Sequence, residues 1–477
     1  VTGRVSGEVA PVSGAEFTGA ELSESVRATI ETLPPEIVIV DQDIVASYAR
    51  DQSRFTDSAL PAAVFAPRTT EEVAACMAAA HRNSVTVVPR GAGSGLSGAA
   101  NAVAECVVLS LHRMTAIREV DAVNRIAVVE PGVVTADLRA RVAADGLFYP
   151  PDPGSVEFST IGGNVATNAG GMCCVKYGVT GDFVLGLQVV LADGRIMRTG
   201  RRTVKGVAGY DLTHLMVGSE GTLGIITEIT VKLLPAPRPA QTLVASFPTL
   251  DGAGRTVSEI ARSGSIPSML EILDRTTVQA VDAASGMGIG SDTAALLIVQ
   301  SDDVDADAVL ARVESICRNF DAEDVVLSSD PMESAMLLEA RRLALPALER
   351  LGDWLLDDVA VPVSRIAELI ESIETIAAEH GLTIGVFGHA GDGNLHPTII
   401  YDESDAGSRE AAISAFDAIT RRALELGGTI TGEHGVGRLK ARWLTVEHDE
   451  TSAAVHRAVK TALDPTGILN PGSVLTS

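Results

Sequence analysis

A glycine loop that follows a strand, with no room for a helix behind it, constrains this chain more than any other feature. Val85-Thr86-Val87-Val88 is short, apolar and β-branched, and it runs into Pro89-Arg90-Gly91-Ala92-Gly93-Ser94-Gly95-Leu96-Ser97-Gly98, a strand delivering a loop. Gly93-x-Gly95-x-x-Gly98 matches the nicotinamide dinucleotide fingerprint as a pattern. Its context excludes that use. The fingerprint needs a helix before the next strand, yet strand-like sequence resumes at Cys106. The other use of such a loop is as a nest of backbone N–H groups around a pyrophosphate, with glycines permitting positive φ and close approach. A second stretch supports it: Pro151-Asp152-Pro153-Gly154-Ser155, then Thr160 to Gly171, then Lys176-Tyr177-Gly178. Side-chain bulk is nearly absent there, while Ser155, Thr160, Asn164 and Asn168 offer uncharged hydrogen-bonding groups. A large, flat, polar-edged ligand lying along backbone needs this composition. A third such run, Gly218-Ser219-Glu220-Gly221-Thr222-Leu223-Gly224, argues against a turn cluster without a ligand.

Pro235-Ala236-Pro237-Arg238-Pro239 is the clearest punctuation, because three prolines in five residues cannot continue a ladder or a helix. A chain of 477 residues is too long for one compact core, so a domain boundary is expected there. The reading is α+β, with residues 1–236 as one domain (core about 57–236), 237–430 as a second, and 431–477 as a returning segment. Thr69-x-x-Glu72 reads as a capping box opening an Ala-rich helix that ends near Asn83. Further strands are expected at 106–111, 125–129, 184–191, 225–234, 241–247 and 294–300, with a helix at 250–262. Ser364 is expected to cap a helix with apolar residues from Ile366 to Ala377 that Gly381 ends, and another helix spans about 408–426. The turn-rich tail Asp464 to Gly472 suits a chain returning to another domain.

A formal charge of −25 argues against nucleic acid and against an anionic membrane surface as partners. Five cysteines without ligand-like spacing fit a reducing compartment, and Cys173-Cys174 read as buried packing. No basic segment followed by an apolar stretch opens the sequence, and no run of about 18 apolar residues occurs. The expected location is cytoplasmic, at most peripheral to a membrane.

Two neighbouring runs carry the chemistry: Gly388-His389-Ala390-Gly391-Asp392-Gly393-Asn394-Leu395-His396, and Thr431-Gly432-Glu433-His434-Gly435-Val436-Gly437. If Asp392-Gly393 form a two-residue hairpin loop, His389 lies directly across from His396, with Cβ atoms roughly 5 Å apart. Two imidazoles at that spacing can share a cation. Glu433 then supplies an oxygen, giving a His/His/carboxylate set with positions left open for substrate, and His434 beside it remains free as a base.

These runs, in this order, resemble the FAD-linked D-2-hydroxyacid dehydrogenases, the D-lactate dehydrogenase and glycolate oxidase branch of the vanillyl-alcohol-oxidase flavoproteins. The matching motifs are Pro89-Arg90-Gly-Ala-Gly-Ser-Gly, Pro153-Gly-Ser, the Ile161 to Gly171 run, Lys176-Tyr-Gly, Gly218-Ser-Glu-Gly-Thr-Leu-Gly, the two C-terminal runs and Leu469-Asn-Pro-Gly. The resemblance implies a vanillyl-alcohol-oxidase-type FAD-binding domain, an α+β cap, and a C-terminal segment returning to the FAD domain. It implies a pyrophosphate on Arg90, Gly91, Ala92, Gly93, Ser94 and Gly95. Flavin and ribityl contacts fall on Pro153, Gly154, Ser155, Thr160, Gly162, Gly163, Asn164, Ala166, Asn168, Gly171 and Tyr177. Glu220, Gly221 and Ile226 line the adenine side, and Asn470 reaches back to the isoalloxazine. No histidine lies between Arg90 and Gly98, so FAD is expected to be non-covalent.

The chemistry implied is oxidation of a D-2-hydroxy acid. His434 takes the hydroxyl proton, Arg341 pairs with the substrate carboxylate, and Asn394 serves either the substrate or a ligand histidine. The metal on His389, His396 and Glu433 is zinc, with manganese or iron(II) as alternatives. Relatives that oxidise hydroxyglutarate carry a lysine where this chain has Leu356. A monocarboxylate such as D-lactate is therefore favoured, with a glycolate oxidase subunit or a D-2-hydroxyglutarate dehydrogenase as alternatives. A second class is an oxidase of phenols, sugars or ether lipids on the same fold. A third is a non-catalytic flavin subunit of an electron-transfer complex. The expected partners are the small substrate and an external acceptor: cytochrome, quinone or carrier flavoprotein. A homodimer is compatible with the sequence.

Overall fold

In a computed structural model, residues 22–289 and 292–475 are described; the first 21 residues of the expected first domain and the last two of the returning segment lie outside them. Among the described residues, Val87–Arg90 pairs in parallel with Val107–Ser110, which pairs in parallel with Ala63–Phe65; Val38–Ile39 adds an antiparallel edge. The connection from Arg90 to Val107 contains no helix, so the glycine loop lies free at the end of its strand. A five-stranded antiparallel sheet follows, ordered Ile117–Asp121, Ile126–Val129, Ile225–Lys232, Val184–Val190, Ile196–Gly200.

Beyond the prolines, an antiparallel eight-stranded sheet runs Asp324–Ser328, Gln241–Phe247, Ala295–Ser301, Met269–Asp274, Thr383–His389, Asn394–Tyr401, Asp353–Leu356, with Val359–Ala360 also on Asn394–Tyr401. Alternation along these strands gives each face its own core. Leu270, Ile272, Val386, Leu395 and Ile399 pack under helices Leu250–Arg262, Ile366–His380 and Ala406–Glu425. Leu273, Phe387, Leu356, Trp354 and Ile400 face the other way, toward helices Arg275–Ser285 and Ala344–Leu348. Glu271, His389 and His396 share the parity of this second face.

Several sequence expectations are corrected. Ser364 does not cap its helix: a 3-10 turn Val363–Arg365 leads in, Arg365 occupies the cap position, and no side-chain bond is made there. Pro235 still pairs, in a two-residue strand Leu234–Pro235 against Leu147–Phe148. Cys173 and Cys174 are half-buried rather than buried. Glu72 donates its N–H to Thr69 Oγ1, but its carboxylate accepts from Arg68 N instead of closing the box on Thr69. The tail does return: after helix Glu450–Leu463, the Asp464 carboxylate accepts from Ile468 and Leu469 N–H, and Asn470 N–H donates to Val87 O. No helix among the described residues is long and apolar enough to cross a membrane.

Candidate active site

The hairpin register differs from the expected one. His389 pairs with Asn394, and His396 pairs with Phe387, so the loop is the four residues Ala390–Gly393 rather than two. Gly391 N–H is drawn to Leu270 O on the neighbouring strand at 3.0 Å, and Gly393 N–H closes the turn on His389 O at 3.0 Å. Gly393 has φ +87°, and a Cβ there would overlap the Val361 carbonyl oxygen. The displacement is an even number of residues, so both histidines keep the same face. Their ring centroids are 5.1 Å apart.

Asp358, which the sequence reading did not single out, builds the second run. Its Oδ2 accepts from Thr431 Oγ1 at 2.7 Å and from the N–H groups of Gly432, Glu433 and His434 at 2.9 Å each. Four donors on one buried oxygen fix the backbone that aims Glu433 and His434. Lys440, also buried, bonds Asp357 Oδ1 at 2.6 Å and the carbonyls of Asp358 and Ile430. From the other side, the Glu220 carboxylate accepts from Val436 N–H at 2.7 Å and Gly437 N–H at 2.8 Å, and Ser97 Oγ donates to His434 O at 3.1 Å. The His434 loop is thus held by both halves of the chain.

His389 Nε2, His396 Nε2 and Glu433 Oε1 form a triangle with every edge 3.3 Å. Three ligands about 2.0–2.1 Å from one tetrahedral ion stand at this spacing. Behind them, Glu271 Oε1 holds His389 Nδ1 at 2.7 Å, and Asp358 Oδ1 lies 3.6 Å from His396 Nδ1. Both Asp358 Oδ1 and His396 Nδ1 lack a hydrogen-bond partner. Carboxylates behind ligand imidazoles are the usual outer support of a metal site, so these residues fit a divalent ion. His434 stacks on His396 with centroids 4.9 Å apart, its Nε2 3.6 Å from Glu433 Oε1.

The electrostatics separate the three imidazoles. Burial pushes His396 down to about 4, leaving it neutral with a lone pair to offer. Burial acts the same way on His389, but Glu271 and Glu433 outweigh it and raise its pKa well above the ordinary value. Glu433 is desolvated too, yet His389 and its hydrogen bonds hold its carboxyl well below the usual range. For His434, the charge of Asp358 and then Glu433 exceed the burial penalty, and its pKa is raised.

This cluster opens into a cavity of about 680 Å³ whose other walls are the glycine loops. Arg90 to Gly95, Pro153, Gly154, Ser155, Thr160, Gly162, Gly163, Asn164, Ala166, Gly171, Glu220, Gly221 and Ile226 all line it, as do Arg341, His389, His396, Glu433 and His434. Gly93 has φ +73°, and a Cβ would strike the Arg90 guanidinium folded beneath the loop. Backbone therefore faces the ligand space, the cradle that an FAD pyrophosphate and flavin fit. Four expected site residues stand outside this lining. Asn168 ends its helix in the left-handed region at φ +54° and accepts from Gly181 N–H. Tyr177 donates to Asp302 Oδ2 at 2.6 Å. Asn470 donates to Ala99 O and Glu220 O instead of reaching the cavity. Asn394 lies against Gly432, its Oδ1 unpartnered.

Comparison with known proteins decides the family. Residues 61–200 match the FAD binding domain, and residues 236–474 match FAD linked oxidases, C-terminal domain. Glycolate oxidase subunit GlcD of Bacillus subtilis is 45% identical over 420 residues, covering 87% of this chain and 89% of that one. The chain belongs to the FAD-linked oxidase family. D-lactate dehydrogenase of Archaeoglobus fulgidus is 37% identical, covering 86% and 91%. At the level of fold, 4-ethylphenol oxidase from Gulosibacter chungangensis superposes with a TM-score of 0.76 at 19% identity, covering 95% of this chain and 98% of that one. The architecture is accordingly the α+β fold of the vanillyl-alcohol-oxidase flavoproteins, and the protein is an FAD-linked oxidoreductase.

Within this FAD-linked oxidase, Arg341 sits over Phe387, its Nε on Glu271 Oε2 at 2.5 Å. Glu271 joins Arg341 to His389 and is fully buried; burial raises its pKa, but His389 and Arg341 carry it below the ordinary value. The sequence reading missed it, although one carboxylate inside Met269-Leu270-Glu271-Ile272-Leu273 was a signal: an acid in an apolar strand needs a partner.

Proposed function

We propose that this protein is a metal-assisted dehydrogenase that oxidises a D-2-hydroxy monocarboxylate to its 2-oxo acid. The observation that carries the reading is the 3.3 Å triangle of His389, His396 and Glu433, opening into the same cavity as the glycine loops. Bound FAD would supply the hydride acceptor for the C2 hydrogen, and a divalent ion would supply Lewis acidity at the C2 hydroxyl. The chain's own residues do the rest. Arg341 commits Nε to Glu271, which leaves the outer N–H groups of its fork for the substrate carboxylate. His434 receives the hydroxyl proton, and Asp358 and Glu433 stabilise the resulting imidazolium. Asp358 fixes the direction of that imidazole through the main chain, and Glu271 keeps His389 and Arg341 in register, so orientation is set before substrate arrives.

The same reading takes residues 1–236 as the FAD-binding domain, 237–430 as the cap and 431–477 as the closing segment, with electrons passing to an external acceptor. Glycolate oxidation fits equally, since a relative at 45% identity is named a glycolate oxidase subunit. Anaerobic addition of D-lactate, glycolate and L-lactate to the FAD-loaded protein tests the proposal. D-lactate or glycolate should bleach the flavin and L-lactate should not; a flavin left oxidised by every 2-hydroxy acid would defeat it.

A further inference from the structure

Resting on the dehydrogenase reading, the structure also speaks to what the substrate carries on C2. The cavity-facing side of the eight-stranded sheet changes character in one direction. Glu271 and His389 are opposed at one end, then Phe387 opposes His396, then Leu356 opposes Thr398, then Trp354 opposes Ile400. Every second residue along a strand advances about 7 Å, so Leu356 stands one row beyond His396 and Trp354 one row further. Phe387, Leu356 and Trp354 all line the cavity.

The helical segment above the sheet repeats the gradient. Arg341 lies over the Phe387 ring, 4.8 Å from its centroid. Leu345, four residues on and so one turn along, lines the same cavity. Leu96 and Met172, from the glycine-loop half, pack against the same apolar cluster and also line the space. The polar handles are therefore gathered at Arg341 and the imidazoles, and an apolar compartment begins where they stop. At the mouth, Arg342 and Glu349 are exposed residues of opposite sign, a poor counterpart for a second carboxylate.

We propose that the preferred substrate is a D-2-hydroxy acid with an apolar side chain that lies on Phe387, Leu356 and Leu345 and points toward Trp354. One row of roughly 7 Å, at about 1.5 Å per carbon–carbon bond, accommodates a side chain of about four carbons. Glycolate would leave this surface uncovered and lactate would cover it with one methyl group.

The test is a kcat/KM series on the FAD-loaded protein with an artificial acceptor: glycolate, D-lactate, D-2-hydroxybutanoate, D-2-hydroxy-4-methylpentanoate and D-2-hydroxyglutarate. Each added methylene should raise kcat/KM about four-fold until the compartment is filled. A series that is flat or falls beyond lactate, or one led by D-2-hydroxyglutarate, overturns the inference while leaving the dehydrogenase reading intact; no flavin reduction by any member refutes that reading instead. Leu345→Asp and Leu356→Ala should each lower the ratio of D-2-hydroxy-4-methylpentanoate to D-lactate by about ten-fold, and ratios unchanged in both overturn it. Leu345 is only half-buried, so its variant remains informative if the Leu356 change impairs folding, and the wild-type series decides the matter alone.

Discussion

Replacing Asp358 by Asn should disable the enzyme without emptying it of flavin. Asp358 Oδ2 accepts Thr431 Oγ1 and the N–H groups of Gly432, Glu433 and His434. Burial raises its carboxyl, but His434, Lys440 and His396 together bring its pKa below the ordinary value, so it is an anion in use. Hydrogen bonds to a charged group contribute about 1.5–3 kcal/mol each, and they are not additive around one oxygen. Asparagine can keep its one oxygen where the four donors converge, but it removes the charge they point at and places an NH₂ at the Oδ1 position, 3.6 Å from His396 Nδ1, comparable to breaking a buried charge pair at about 3–5 kcal/mol. The segment 431–434 can relieve part of that by moving, and a displacement of about 1 Å costs on the order of 100-fold in rate. Asp358 makes none of its hydrogen bonds to the loops at 90–95 or 153–171. Flavin absorbance of the purified variant should therefore match wild type while kcat/KM with the best 2-hydroxy acid falls at least about 100-fold. A variant within about three-fold of wild type would refute the idea that this carboxylate aims Glu433 and His434.

Three further outcomes are expected. Glu271→Gln removes the charge behind His389 and should weaken divalent-ion affinity about 10- to 100-fold, read by metal titration of chelated protein; unchanged affinity contradicts the role. Gly93→Ala forces a side chain into a φ of +73° and onto Arg90, so FAD affinity measured by flavin fluorescence should collapse while circular dichroism keeps its folded signature; a variant that binds FAD like wild type would count against the loop. Asp51, buried against the same loop, is pushed up to about 6 by burial, against hydrogen bonds from Ser53 and Ala100. Because its folded pKa lies above the ordinary carboxyl value of 3.8, its stabilising contribution is present below that value and lost as pH rises through about 6. Ionised Asp51 also opposes a pyrophosphate on Gly95, so FAD affinity should tighten as pH falls from about 7.5 to about 5.5. Asp51→Asn should flatten that dependence, and equal slopes in the two proteins would exclude Asp51 as its source.

The glycine loops were legible because their function is local: positive φ and missing side chains are written in the sequence at the place they act. The absent helix between Arg90 and Val107 could likewise be counted in residues. Contacts made across the chain were hidden. The hairpin register depends on Leu270 O capturing Gly391 N–H from another strand, which no turn rule anticipates; the face of His389 and His396 survived because the slip was even. Glu271 and Asp358 act on residues 118 and 76 positions away, so only their oddity as acids in apolar runs was visible. Asn168, Tyr177 and Asn470 lie in motifs at the site, yet their side chains bond Gly181 N–H, the Asp302 carboxylate and the carbonyls of Ala99 and Glu220, contacts that no motif records. Asn394 Oδ1 is left without a partner beside Gly432.

The central claim is that His389, His396 and Glu433 hold a divalent ion on which turnover depends. Metal content per bound flavin, measured on protein assayed before and after chelation and after adding back single ions, tests it most directly. The account predicts about one ion per flavin in active protein, loss of turnover with retained flavin on chelation, and recovery with zinc, manganese or iron(II). Full turnover by flavin-loaded protein stripped of divalent metal would contradict it.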